Sequence, residues 1–190
     1  MICKFLNLIY IKENIMIFIK QKILGVYLIK PEPFKDHRGV FRRHFCNEEF
    51  NKNKIENVVT QCNVSENFKK STLRGFHYQT GKAAEAKTLS CLKGSIYDVV
   101  VDLRPKSKTY GKWVSVKLTS KNRMSVHIPK GCANAFLTLE NNSIIHYYSS
   151  NKYNPKNELG IRYNDPFFKF KWPIKIKHIS ERDKLHSDFK

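Results

Sequence analysis

Ser95-Ile96-Tyr97-Asp98-Val99-Val100-Val101-Asp102-Leu103 is the stretch on which the fold reading turns. It is rich in β-branched residues and alternates only in part, the mark of a strand. Lys112 to Leu118 (KWVSVKL) alternates more clearly, with Trp113, Ser115 and Lys117 opposite Val114, Val116 and Leu118. Met124 to Ile128, Ala135 to Leu139 and Ser143 to Ser149 add three short strands. Turn signals separate them at Lys93-Gly94, Pro105 to Gly111, Pro129-Lys130-Gly131 and Glu140-Asn141-Asn142. Upstream, Lys22 to Lys30, Asn57 to Ser65 and the segment around His77 read as β. Helix is confined to Asn47 to Asn53 and a short turn from Ser180. Many short strands at this spacing predict an all-β sandwich or barrel.

The chain has 190 residues, which fits one domain with a substantial core. Residues 1–11 are apolar, but Lys12, Glu13 and Asn14 break the run, no small-residue cleavage site follows, and the run is too short to span a membrane. Met16 reads as a natural start, so residues 1–15 are expected to form an N-terminal extension and residues 16–190 a single domain. No other segment approaches a membrane span. The net charge is +19, from 35 Lys and Arg against 16 Asp and Glu. The lysines are scattered, without a run of five or six, and no groove-reading motif accompanies them, which argues against nucleic acid as a partner. A positive field would still draw in an anionic substrate. Five cysteines with no CxxC spacing read as reduced thiols of a cytoplasmic protein.

Several positions carry chemistry. His77 sits three residues after Arg74 in Leu73-Arg74-Gly75-Phe76-His77-Tyr78-Gln79. A histidine titrates near neutrality and can take a proton from carbon, and an arginine beside it can hold a phosphate. Arg38, in Asp36-His37-Arg38-Gly39, is either a surface partner of Asp36 or a phosphate ligand. Gln61 and Asn63 lie two apart and share one face of a strand, where they read a sugar or base or face solvent. Lys87 opens a strand and would steady an enolate oxygen if it lay in a pocket. Tyr147, Tyr148 and Tyr153 lie at or after a strand end, and a pocket-facing tyrosine hydroxyl is a proton donor at neutral pH. His127 and His146 read as packed or interfacial. Ile128-Pro129-Lys130-Gly131-Cys132-Ala133-Asn134 follows the second cupin motif, with Asn134 at the metal-binding histidine position; asparagine is a poor transition-metal ligand.

Taken in order, these landmarks resemble the dTDP-4-dehydrorhamnose 3,5-epimerase family from about Ile23 to Phe189. The matching pieces include Asp36-His37-Arg38-Gly39-Val40-Phe41, Gln61-Cys62-Asn63-Val64-Ser65, Thr72 to Gln79, Lys87, Tyr97 to Arg104, Glu158, Asn164-Asp165-Pro166 and Ser180-Glu181-Arg182-Asp183. The resemblance implies a cupin-type jelly-roll barrel with few short helices, a homodimer, no metal and no cofactor. It implies an isomerase that epimerises C3, C5 or both of a nucleoside-diphosphate-linked 4-keto-6-deoxysugar, in surface-polysaccharide (O-antigen) sugar biosynthesis. His77 then matches the base, paired with Asp183 or, second, Asp165. Tyr147 matches the acid that reprotonates carbon from the other face, and Lys87 the group near the C4 carbonyl. Arg38, Arg74, Gln61, Asn63, Glu158 and Arg182 match nucleotide or pyrophosphate contacts, and Tyr153 is a further candidate at the substrate. Asn134 stands where the family commonly has histidine, on a wall of the sugar pocket. Arg43 stands near the nucleotide base, where rhamnose-pathway members commonly carry glutamate, and a guanidinium cannot accept a hydrogen bond. Two other readings of the same residues are a sugar 3,4-ketoisomerase on a related barrel, which would not need Tyr147, and a non-catalytic sugar-nucleotide-binding barrel.

Overall fold

The structure, a computed structural model, describes residues 16–189; the expected extension over residues 1–15 lies outside them. Two antiparallel sheets face each other. The first runs in the order β1 (Met16–Lys20), β2 (Tyr27–Pro31), β10 (Ser125–Ile128), β7 (Lys87–Lys93), β12 (Ser143–Ser149) and β5 (Gln61–Asn67). The second runs β13 (Glu158–Gly160), β6 (Leu73–Gln79), β11 (Cys132–Thr138), β8 (Ser95–Asp102) and β9 (Trp113–Thr119). A small hairpin, β3 (Phe34–Asp36) with β4 (Gly39–Phe41), stands outside both. Two short helices, α1 (Asn47–Lys52) and α2 (Glu181–Lys184), complete the cupin-type jelly roll.

The β8 stretch shows why its alternation is incomplete: both of its faces are covered. Ile96 and Val100 join the core between the sheets, with Leu89, Leu118, Val126 and Ile145. Val99 and Val101 point the other way and pack with Phe76, Ala133 and Ala135 under Phe168, Phe170 and Trp172 of the C-terminal segment. A strand buried on both sides loses the polar half of its pattern. Each such side chain, fully buried, contributes roughly 1.5–3 kcal/mol. The same period of two places Asp98 and Asp102 on the inter-sheet face, beside Ile96 and Val100. On the outer side of the six-stranded sheet, Phe50 of α1 closes a third cluster with Met16, Ile29, Ile55 and Tyr148.

Most expected strands are present with shifted ends; Ser143–Ser149 is found with the expected bounds. The expected strand over Lys22 to Lys30 is instead a turn followed by β2. Gln21 N donates to the Val26 carbonyl at 2.9 Å, and Ile23 and Val26 are drawn into the core rather than into a ladder. Burial of these two side chains overrides their strand preference. Strands β1 and β13 are not among those expected from the sequence; β1 pairs with β2, the next strand in the chain, and β13 with the distant β6.

Candidate active site

One end of the inter-sheet space is open. It forms a cavity of about 700 Å³, lined in part by Arg74 and His77 of β6, Lys87 of β7, Asn134 of β11, Tyr147 of β12, and Arg182 and Asp183 of α2. That volume suits a small-molecule ligand.

The His77 imidazole is held from behind. Its Nε2 lies 2.8 Å from Asp183 Oδ1. An ionised carboxylate only accepts, so Nε2 carries the proton and Nδ1 is the basic nitrogen. Asp183 is fixed in turn: its Oδ2 accepts from Gly75 N at 3.2 Å, and its own amide donates to Ser180 Oγ at 3.1 Å, capping α2. Burial pushes the Asp183 pKa up, but the His77 contact and the Gly75 and Ser180 donors outweigh it and leave it lowered. Gly75 makes this possible. Its φ is +111°, and a Cβ there would lie 2.5 Å from the Asn134 carbonyl oxygen and 2.7 Å from Ala135 Cα. Asp165 is engaged elsewhere, accepting from Phe167 N at 2.8 Å and Phe189 N at 2.6 Å, so the carboxylate beside His77 is Asp183.

Across the cavity, Tyr147 comes from the facing sheet. Burial raises its pKa, with Glu85 and Glu158 adding and Arg74 opposing, so the phenol keeps its proton at neutral pH. Lys87 Nζ pairs with the almost buried Glu85 at 2.9 Å. Asn134 lies directly opposite His77 in the β11–β6 register, and its Nδ2 donates to Asp98 Oδ1 at 2.9 Å. Asp98 is fully buried, and its other oxygen has no hydrogen-bond partner. Burial pushes its pKa up to about 7, against Asn134 and Lys87, which lower it.

The remaining expected residues fall into two groups. Arg74 lines the cavity with its Nε donating to Asn67 Oδ1 at 2.8 Å. Arg182 lines it while paired with Glu158, which also accepts from Tyr153 Oη at 2.7 Å. Gln61 and Asn63 share a strand face with cavity-lining Ser65; Gln61 Nε2 donates to Asn63 Oδ1 at 3.0 Å, and Gln61 Oε1 accepts from Tyr153 N at 3.0 Å. Arg38 and Arg43 do not line the cavity. Arg38 is exposed on the hairpin and held by Asp36 at 2.6 Å, and Arg43 Nη1 meets Glu49 of α1 at 2.5 Å. Glu85, Asp98 and His186 were missed. For Asp98 there was a signal: a carboxylate inside a β-branched run must be buried with a partner. His77, Asp183 and His186 bring ligand-type atoms within 4.8 Å of one another. His77 Nε2 and Asp183 Oδ1 already bond to each other, so binding an ion there would break that contact.

The His77 imidazole and the Tyr147 phenol thus line one cavity from opposite sheets, with Arg74, Lys87 and Arg182 also on its wall. The sequence profile of dTDP-4-dehydrorhamnose 3,5-epimerase matches residues 20–190. The chain belongs to this family. The dTDP-4-dehydrorhamnose 3,5-epimerase of Methanothermobacter thermautotrophicus is 37% identical over 170 residues, covering 88% of this chain and 91% of that one. The structure of the Elizabethkingia anophelis enzyme of the same name superposes with a TM-score of 0.88 at 33% identity, covering 92% of this chain and 96% of the other. The dTDP-6-deoxy-D-glucose-3,5-epimerase of Legionella pneumophila, solved with dTDP-4-keto-L-rhamnose, gives 0.83 at 33% identity, over 88% and 89% of the two chains. The chain is therefore an enzyme of the epimerase class. Among the described residues no helix is long and apolar enough to cross a membrane.

Proposed function

We propose that the chain epimerises C3, C5 or both of a dTDP-linked 4-keto-6-deoxysugar, for rhamnose-type sugars of surface polysaccharides such as O-antigen. The observation that carries this reading is the placement of the His77–Asp183 pair on one sheet and the protonated Tyr147 on the other. The C4 ketone acidifies the protons at C3 and C5. His77 Nδ1 takes one of them, and Asp183 steadies the imidazolium that forms. Negative charge builds on O4, where Lys87 offsets it. Inversion needs the proton returned to the opposite face, and Tyr147 is the donor there. Arg74 and Arg182 hold the pyrophosphate; Gln61, Asn63, Tyr153 and Glu158 extend the site toward the nucleotide. Asn134 shapes the sugar wall next to His77. No metal or cofactor is required by these steps.

The same reading includes a homodimer. The β3–β4 hairpin carries Phe34, Val40 and Phe41 exposed to solvent, an apolar tip suited to a second copy of the chain. It also carries Arg38 away from its own cavity, and Arg43 follows shortly after it, so both act at the nucleotide only if the hairpin reaches a partner's site. A cytoplasmic location is supported by the free thiols of Cys46, Cys62, Cys91 and Cys132. The test is NMR of dTDP-4-keto-6-deoxyglucose with the enzyme in D₂O. Deuterium at C3, C5 or both with a new configuration is expected. A 3-keto sugar would instead establish a ketoisomerase, and no labelling a binding module.

A further inference from the structure

His186 stands behind the proposed catalytic pair, on the side away from the substrate cavity. Its ring meets the His77 ring edge-on, with centroids 6.2 Å apart. Its Nε2 lies 3.9 Å from Asp183 Oδ1, the oxygen that holds His77. That Nε2 is buried and has no hydrogen-bond partner. The ring occupies a slot that the β-sheet leaves for it. Gly160 pairs with His77 in the β13–β6 register, and a Cβ on Gly160 would run into the His186 imidazole. The φ of Gly160 is not in the left-handed region, so glycine serves here to make room.

We propose that His186 is a positioning residue that sets the basicity of the catalytic pair by sharing the negative charge of Asp183 with His77. The inference rests on His77 as the base. With its proton on Nε2, the ring sets a dipole 3.9 Å from Asp183 Oδ1, beyond hydrogen-bond reach, and draws off part of the charge that would otherwise stabilise protonated His77. The groups that face His186 are His77 from β6, Asp183 and Arg182 from α2, and Glu158 from β13. Burial, with His77 and Arg182, favours the neutral imidazole; Asp183 and Glu158 oppose them. The neutral ring acts as a dipole, neither touching substrate nor exchanging a proton with it.

The test compares pH profiles of kcat/KM for the full-length enzyme, His186→Phe and His186→Gln. Phenylalanine fills the slot without a donor, and glutamine restores an N–H. The acid limb, which reports the essential base, is expected to move up by roughly half to one pH unit in His186→Phe. At a pH below that limb kcat/KM should fall about three- to tenfold, with the alkaline plateau within about twofold of wild type. His186→Gln should return the limb toward wild type. An unshifted limb in His186→Phe, a shift to lower pH, or equal shifts in both variants overturns the proposal. If His186→Phe does not fold, His186→Leu takes its place with the same expected shift. His77→Asn in the same assay separates the two readings: wild-type rates there would remove His77 as base, whereas an inactive His77→Asn beside an unshifted His186→Phe would remove only the role of His186.

Discussion

Four aspartates are buried among the described residues, and they divide into two kinds. Asp102 and Asp165 bond groups outside the cavity, which fasten the chain. Asp102 accepts from Arg104 Nε at 2.7 Å, Ser107 Oγ at 2.5 Å and Thr109 Oγ1 at 2.6 Å, closing the loop after β8. Asp165 ties the backbone at Phe167 and Phe189. Asp98 and Asp183 instead each hold a side chain that faces the cavity, Asn134 and His77. Asp98 and Asp102 are four residues apart on one strand, yet their acidities diverge. Burial raises both, but only Asp102 has enough donors to end well below the usual carboxylate range; Asp98, with one donor, rises to about 7. The first kind ties down loops and chain ends; on the proposed mechanism the second orients side chains at the substrate.

This division is breakable by substitution. Asp183→Ala should lower turnover by roughly 10²–10⁴-fold, the size of a lost general base, while costing less stability than Asp102→Ala, since it leaves fewer donors without an acceptor. A large loss of stability with activity per folded molecule preserved would move Asp183 into the other class. Asp102→Ala should do the reverse. It leaves Arg104 and the loop hydroxyls without their acceptor, at a cost of roughly 3 kcal/mol, with turnover of the folded fraction within about threefold, since no interaction with the transition state is lost. Denaturant unfolding beside steady-state kinetics measures both.

A smaller effect sharpens the comparison within β8. Asp102 is held below its ordinary range, so its stabilisation is present above that range and is lost on acidification. Asp98 is raised, so its contribution is present in acid and is lost as pH climbs from about 4 through about 7. In melts across that window, Asp98→Asn, which cannot ionise, should gain on wild type as pH rises. Asp102→Asn should trail wild type by a constant margin there and close the gap only in stronger acid. Parallel curves for both variants would mean that the two carboxyls titrate alike.

Much of this was legible from residue order. Trp113–Thr119 is a strand whose own side chains alternate between faces, and Ser143–Ser149 is one set off by the turn signal before it. His77, Lys87, Tyr147, Asp183, Arg74, Asn134 and Arg182, drawn from four strands and a short helix, do line one cavity. Pairing across distance was not legible. Strand β13 exists through its ladder to β6, and Glu85 matters only because Lys87 folds back to it. Neither pattern nor propensity marks His186, whose place depends on a missing side chain at Gly160. Arg38 and Arg43 show the converse: their motif positions were clear, but they lie outside the cavity of their own chain.

The central claim is that proton removal and proton return are done by different residues on opposite sheets. The most direct test follows dTDP-4-keto-6-deoxyglucose by NMR in D₂O with Tyr147→Phe, reading deuterium incorporation and configuration in the same spectra, with His77→Ala as the reference for lost abstraction. The account predicts that Tyr147→Phe still exchanges, within about tenfold of wild type, while inversion falls about a hundredfold or more. Inversion by Tyr147→Phe at the wild-type rate, or exchange that disappears together with inversion, would contradict it.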